Sequence, residues 1–268
     1  MNGTATIERG TAADAFSRQS DVFDAIDAAN PLIGWVRDRV RAQAIRSMKA
    51  GESLLELNAG TGIDSAYFAA HGLKVLATDV APGMIQQQEL KLERSTVQWV
   101  TRQCSFLELE KLGDKRFDHV FSNFGGLNCT DRLDIVLHGI DRVLRPGGTC
   151  TLVIMPRFSP WEVLAALKGN FRLARRRFRE RTPAQLEGVS FPCYYYAPSY
   201  VEHHFGPRYD VIAQRALSLI VPPPHQEHFP SRWPTLFKVL AAVEDSIASL
   251  PLFRNWGDHF VITLRRRI

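Results

Sequence analysis

Two glycines and two acids carry the most legible chemistry in this chain. Leu54-Leu55-Glu56-Leu57-Asn58-Ala59-Gly60-Thr61-Gly62 sets an acid inside an apolar run with glycines behind it, and Asp79 closes the next run, Val75-Leu76-Ala77-Thr78-Asp79. A short leucine-rich run reads as a buried strand, and Gly60 and Gly62 let the backbone turn tightly after it. Ile63 to His71 then reads as a helix stopped by Gly72, and Leu73 to Ala77 as a second strand. Parallel strands need such a crossover, and ligands of parallel sheets bind at the carboxyl ends, where the loop and Asp79 both fall. The pattern predicts a nucleotide-type cofactor site. A dinucleotide would want glycine where Ser65 stands, and Glu56 is a poor neighbour for pyrophosphate. The acid suits a ligand with a positive charge, an ammonium group and a ribose diol to satisfy.

Glu56-x-Asn58-x-Gly60-x-Gly62 resembles motif I of the class I S-adenosylmethionine-dependent methyltransferases, in their small-molecule branch. Phe117-Asp118-His119-Val120-Phe121-Ser122-Asn123 resembles motif IV on the fourth strand, and Val143-Leu144-Arg145-Pro146-Gly147-Gly148 the turn entering the fifth. The ordered elements cover roughly residues 50 to 155. The resemblance implies S-adenosylmethionine as cofactor, with the glycine loop at its methionine end and Asp79 accepting both ribose hydroxyls. It places Glu56, Asn58, Ala59, Gly60, Gly62, Asp79, Val80, Met84, Ser105, Phe106, Asn123 and Phe124 around the cofactor. Two positions depart from the pattern. Asn58 replaces the usual first glycine, which suits a left-handed or bridging backbone that Asn visits readily. After the third strand, Val97 to Val100, relatives often place an acid against the adenine amino group. This chain reads Gln103-Cys104-Ser105-Phe106, so Ser105 or a backbone carbonyl would take that bond.

The implied fold is α/β: a Rossmann-like, seven-stranded, mostly parallel sheet with a terminal antiparallel hairpin, N-terminal helices and helical cap insertions. Residues 1–15 read as disordered, being small, polar and without periodicity. Residues 16–268 form one methyltransferase domain, with its core in 50–155 and 199–268 and its cap from 16–48, 156–198 and 222–257. Phe16 to Met48 reads as helical with a break at Pro31, Pro82 to Lys91 as a helix, and Asp131 to Val143 as a helix capped by Thr130 or Asp131. Ser199 to Phe205 precedes a sixth strand, Tyr209 to Val221, and His259 to Arg265 is the seventh.

With 268 residues, 45% hydrophobic, the chain has material for one core and a smaller cap. No apolar stretch approaches the roughly 20 residues that cross a bilayer, and Met1-Asn2-Gly3-Thr4 lacks a secretory signal pattern, so a cytoplasmic protein is expected. Cys104, Cys129, Cys150 and Cys193 have neither C-x-x-C nor zinc spacing, so free thiols and no metal are expected. The net charge of +5 is local: Lys168 to Arg181 holds seven basic residues against one acid, Glu180.

Ser159-Pro160-Trp161-Glu162 reads as a capping box with proline at the first helical position, opening a basic amphipathic helix whose stripe is Trp161, Leu164, Leu167, Phe171, Ala174 and Phe178. An interruption at Gly169-Asn170 fits the same pattern. Three readings compete: a cap helix with a solvated basic face, a peripheral membrane contact through 159–181, and a nucleic-acid footprint, which no RNA-binding module accompanies.

Methyl transfer from a sulfonium needs alignment and exclusion of water, and a base only where the acceptor holds its proton tightly. Candidate catalytic residues are Asn123 after the fourth strand, His225 in the insertion, and His259 at the start of the seventh. A direct Asp258-His259 dyad is not expected, because adjacent strand residues point to opposite faces. Asn128 reads as structural. Trp161, Tyr195 and Trp233 are candidate walls for an apolar, aromatic or lipid-like small-molecule acceptor. The alternatives are an RNA or protein methyltransferase using the 168–181 segment, or a non-catalytic cofactor-binding protein.

Overall fold

The computed structural model describes residues 8–167, 169–171, 175–179 and 181–268. In chain order its elements are β1 (Glu8–Arg9), α1 (Ala12–Ala29), α2 (Pro31–Ile45), β2 (Ser53–Leu57), α3 (Ile63–Ala70), β3 (Lys74–Asp79), α4 (Pro82–Arg94), β4 (Val100–Gln103), β5 (Phe117–Ser122), α5 (Leu133–Val143) and β6 (Leu144–Ile154). They continue with α6 (Pro160–Leu167), β7 (Thr182–Leu186), β8 (Val189–Cys193), α7 (Pro198–Phe205), β9 (Tyr209–Leu217), α8 (Phe229–Arg232), α9 (Pro234–Ile247) and β10 (His259–Arg266).

Seven strands form one sheet in the order β4-β3-β2-β5-β6-β10-β9. β10 runs antiparallel to both β6 and β9, and the other neighbours are parallel, which is the expected Rossmann-like arrangement with its terminal antiparallel pair. The two faces follow from strand alternation. Leu55 and Leu57 enter the core shared with Leu133, Val136 and Ile140 of α5, while Leu54 enters the core shared with Val36 and Val40 of α2 and Phe68 of α3. Glu56 therefore lands on the α2–α3 side, where polar groups of those helices can reach it.

Several boundaries differ from the sequence expectation. Thr11 and Asp14 make a reciprocal capping box that starts α1 inside the stretch expected to be disordered, and β1 pairs with β8. Residues 1–7 of that stretch lie outside the described residues. The third core strand is Val100–Gln103 rather than Val97–Val100, because Trp99 is buried against Gln88 and the glycine loop. β9 stops at Leu217, where Ser218 takes a left-handed conformation at φ 52°. α5 starts at Leu133, and Thr130 serves it indirectly by accepting from Arg132 N.

The largest difference is in the cap. Of the helix expected from Ser159 with an interruption at Gly169-Asn170, the first part is α6, to Leu167; beyond it Arg176–Phe178 is a short 3-10 turn, and β7–β8 is a hairpin that completes a second, three-stranded sheet with β1. The capping box at its start does not form. Ser159 Oγ is buried without a hydrogen-bond partner among the described residues, and Glu162 Oε1 instead receives Arg176 Nε at 2.6 Å and Arg177 Nε at 2.7 Å. Guanidinium donors outcompete a backbone N–H for a carboxylate. Arg177 is 1% exposed, so it is no part of a solvated basic face. Lys168, Arg172 and Glu180 lie outside the described residues.

Candidate active site

The glycine loop takes the conformations its residue types allow. Asn58 sits at φ 44°, Gly60 at 56° and Gly62 at 80°, all left-handed. Asn58 also ties the loop to the end of β5: its Oδ1 accepts from Ser122 Oγ at 2.6 Å and its Nδ2 donates to Asn123 O at 3.1 Å. A Cβ at Gly62 would lie 3.1 Å from Trp99 and 3.2 Å from Gln88, so glycine is needed there for packing as well as for the turn. Ala59 is buried beneath the loop, and its N–H donates to Thr78 O.

Asp79 ends β3 beside this loop. Its Oδ2 accepts from Gly60 N and its Oδ1 from Ala81 N, both at 2.9 Å, which leaves each oxygen a further lone pair. Burial raises its pKa above the ordinary aspartate value, against the backbone donors that lower it. Met84 is buried on the first turn of α4, and Val80 is exposed. Ser105 and Phe106 follow β4 at the same edge, but the Ser105 hydroxyl accepts from Leu107 N, so it closes its own turn.

A polar cluster lies behind the loop. Glu56 is fully buried, accepts from Ser65 Oγ at 2.5 Å, and has its pKa pushed well above the usual range by burial and by Asp64, against Ser65, Arg37 and Arg41. Asp64 receives Arg37 Nη1 at 2.5 Å, Arg41 Nε at 2.6 Å and Asn123 Nδ2 at 2.9 Å. Arg37 also pairs with Asp27, and its guanidinium lies 4.7 Å from the Phe124 ring centroid. Its Nε is buried and has no partner among the described residues. Arg37, Asp64 and Gln88, which donates to Gly60 O at 2.7 Å, were not singled out from sequence. Asp64 could have been found as the acid two residues past Gly62. An arginine on an N-terminal helix carries no comparable signal.

These groups fit S-adenosylmethionine. Glu56 and Asp64 are buried beside Arg37, which has a spare buried donor, and Asp79 is buried at the loop, a set that matches a ligand bringing an ammonium group, a carboxylate and a diol. α1 overlies the loop, with Phe23 3.9 Å from a Cβ position at Gly60 and Asp24 accepting from Thr61 Oγ1. A cavity of about 670 Å³ lined by Lys49, Glu52, His119 and Arg265 lies at the amino edge of the strands, away from all of this.

The sequence candidates for chemistry divide. Asn123 is in the cluster, bonded to Asp64 and, through Oδ1, to Phe124 N. Asn128 is fully buried and holds Met155 O, Met155 N and Tyr194 O, a structural set. His225 is exposed on a 3-10 turn and has no hydrogen bond or ion pair to the cluster among the described residues. Trp161 donates from Nε1 to Ser218 O, Tyr195 is buried with its hydroxyl against Thr182, and Trp233 is half exposed before α9.

His259 departs most from expectation. Its Nδ1 lies 3.0 Å from Asp258 Oδ2, a direct dyad. Strand alternation does not apply, because Asp258 precedes β10: its N–H donates to Leu217 O and Ser218 O at a tight turn where Gly257 leaves no room for a Cβ. Arg177 Nη2 donates to the other oxygen, Asp258 Oδ1, at 2.6 Å. Burial opposes the charge on Asp258, but His259 and the two arginines overcome it and hold the carboxyl far below the usual range.

The sheet order, the left-handed glycine loop and the acid ending the second core strand define a Rossmann-like fold with a nucleoside site. Residues 55–152 match the family described as a methyltransferase domain. Residues 55–152 thus carry a domain of the class I S-adenosylmethionine-dependent methyltransferase type, and S-adenosylmethionine is the cofactor of that domain. It is 35% identical over 135 residues to a demethylmenaquinone methyltransferase of Clavibacter sepedonicus, covering 48% of this chain and 52% of that protein. It is 32% identical over 143 residues to a malonyl-[acyl-carrier protein] O-methyltransferase of Serratia marcescens, covering 53% and 52%. The chain thus spans about half the length of these curated relatives. The CcbJ methyltransferase from Streptomyces caelestis shares the fold at a TM-score of 0.61 and 16% identity, over 95% of this chain and 98% of that one.

Proposed function

We propose that the chain is an S-adenosylmethionine-dependent methyltransferase that methylates a small, apolar, aromatic or lipid-like acceptor by in-line displacement. The observation that carries the reading is the set of Asp79, Glu56, Asp64 and Arg37 converging on the glycine loop, with charges complementary to the ends of that cofactor. The bound cofactor supplies an electrophilic methyl group on a sulfonium. The protein's part is to hold the ribose at Asp79, fix the methionine end with Arg37 and the buried acids, and keep water out beneath α1. In this reading Asn123 orients groups at the loop, while Ser105 or a neighbouring carbonyl meets the adenine. A relative named for demethylmenaquinone supports an acceptor with apolar character. Cell extract incubated with the protein and methyl-labelled cofactor should yield a labelled small molecule by untargeted mass spectrometry. Label found only in protein or RNA would overturn the acceptor class.

A peripheral membrane contact also has support. Leu167, Phe171 and Phe178 are 80%, 62% and 75% exposed, and Arg175, Arg179 and Arg181 of the same segment are exposed as well. Apolar side chains beside arginines suit an anionic lipid surface. Co-sedimentation with anionic vesicles at low salt should retain the protein, and Phe171→Ser/Phe178→Ser should release it. Recovery of the wild-type chain wholly in the supernatant would remove this contact. No helix among the described residues is long and apolar enough to cross a membrane.

A further inference from the structure

We infer that Arg177, Asp258 and His259 form a proton-abstracting relay at the carboxyl edge of the sheet, and that the methyl acceptor is an aromatic hydroxyl whose proton leaves to His259 Nε2. This rests on the methyltransferase reading above and adds to it the acceptor class and the base.

The placement comes from the topology. β10 is antiparallel to β6, and Phe260 pairs with Ile154, so the first residue of β10 stands where the parallel strands end. That is the rim carrying the glycine loop and Asp79. His259 faces the segment after β5: a Cβ at Gly125 would lie 3.1 Å from His259 Nε2 and 3.3 Å from its Cδ2. Only the missing side chain at 125, at φ 65°, leaves the Nε2 edge open. Gly125 stands two residues beyond Asn123, whose carbonyl Asn58 holds, so one short segment joins His259 to the cofactor loop.

The orientation of the ring follows from its partners. Asp258 Oδ2 is on Nδ1, which fixes the proton there and leaves Nε2 as a bare lone pair. Nε2 makes no hydrogen bond among the described residues, and the side chain retains 12% exposure. Arg177 is a positioning residue. Its Nη2 and Nη1 hold the side chain and carbonyl of Asp258, while its Nε reaches Glu162 of α6, so the cap braces the carboxylate that braces the imidazole.

A carboxylic acid acceptor is already ionised at neutral pH and gains nothing from such a base. An alkyl alcohol, near the value of about 15.7 for water, lies far out of reach of an imidazole. A phenol, near about 10, is the hydroxyl for which a positioned histidine matters. In the step, the phenol O–H breaks and its proton passes to Nε2. The oxygen pair forms the new O–CH3 bond as the C–S bond breaks, and that pair stays on sulfur, neutralising the sulfonium to a thioether.

The test uses the full chain with 15N-labelled histidine and a panel of para-substituted phenols. The imidazole spectrum at neutral pH should show His259 protonated at Nδ1 and bare at Nε2, assigned by its loss in His259→Asn. Asp258→Asn should move the population toward the Nε2–H tautomer. With methyl-labelled cofactor, His259→Asn should lower kcat on the phenols by about 100- to 10,000-fold, while phenol KM and calorimetric cofactor affinity stay within about twofold. Arg177→Lys should give an intermediate loss in kcat together with a mixed tautomer spectrum. A wild-type Nε2–H tautomer, or undiminished turnover in His259→Asn, would overturn the relay. Cofactor binding with no phenol methylated would overturn the acceptor class. Absence of cofactor binding by the wild-type chain would instead sink the methyltransferase reading, and this inference with it.

Discussion

Asp79→Ala is expected to weaken S-adenosylmethionine binding by one to two orders of magnitude, or about 1.4–2.7 kcal/mol. Asp79 presents two oxygens, each anchored by one backbone N–H, from Gly60 and from Ala81, so both are held in place before the ligand arrives. A ribose diol can then donate to both free lone pairs, and hydrogen bonds to a buried carboxylate are stronger than neutral ones. Alanine removes both acceptors and strands the Gly60 N–H. Asp79→Asn, with one acceptor kept, should fall between. The affinity should also fall with pH. Burial raises the Asp79 carboxyl above the ordinary value, and the diol bonds favour its ionised form. Binding is therefore complete above the raised value and is lost as pH drops through it, sooner than for an exposed aspartate near about 3.9. Titration calorimetry from pH 7 downward measures both effects. Unchanged affinity in Asp79→Ala at neutral pH would sink the assignment.

Arg177→Met is expected to cost about 3–5 kcal/mol of stability, the range for removing one member of a buried charge network. Arg177 is the largest fully buried side chain described, and it satisfies Glu162 Oε1, Pro156 O, Asp258 O and Asp258 Oδ1 at once. Methionine fills much of the volume but leaves two carboxylates and two carbonyls short of a donor. For a chain of this size the loss corresponds to a melting temperature lower by roughly 10 °C. Arg177→Lys should recover little, because one ammonium cannot span donors that the planar guanidinium presents as a fork. Adding Glu162→Leu to Arg177→Met should restore little, since Glu162 keeps Arg176 Nε as a partner when Arg177 is gone. Differential scanning calorimetry of the three variants decides this, and an unshifted melting point in Arg177→Met would refute it.

Much of the core was legible because its determinants are local. The apolar runs of β2 and β3, the glycines between them and the closing Asp79 lie within 27 residues, and each is constrained by its own backbone. The same holds for the left-handed Asn58, whose residue type alone suits the turn it makes. The start of α1 was missed: polarity argued for disorder, although Thr11 and Asp14 carry a capping-box pattern.

The cap was misread because its pattern is ambiguous without partners. Trp161 to Phe178 has helical spacing, yet Gly169 at φ 83° ends the run and Glu162 abandons its capping role for two arginines downstream. β8 has its second partner near the other end of the chain, in β1, which no window of sequence can show.

The sequence by itself determined the sheet, the glycine loop and the nature of the cofactor, since those depend on short-range steric rules and on residues that act through their own backbone. Only the tertiary structure decided that Asp258 and His259 form a pair, that Arg177 is buried against Asp258 and that Arg37 pairs with Asp64 behind the loop. These contacts join residues up to 81 positions apart, and their chemistry exists only once the chain closes them away from water.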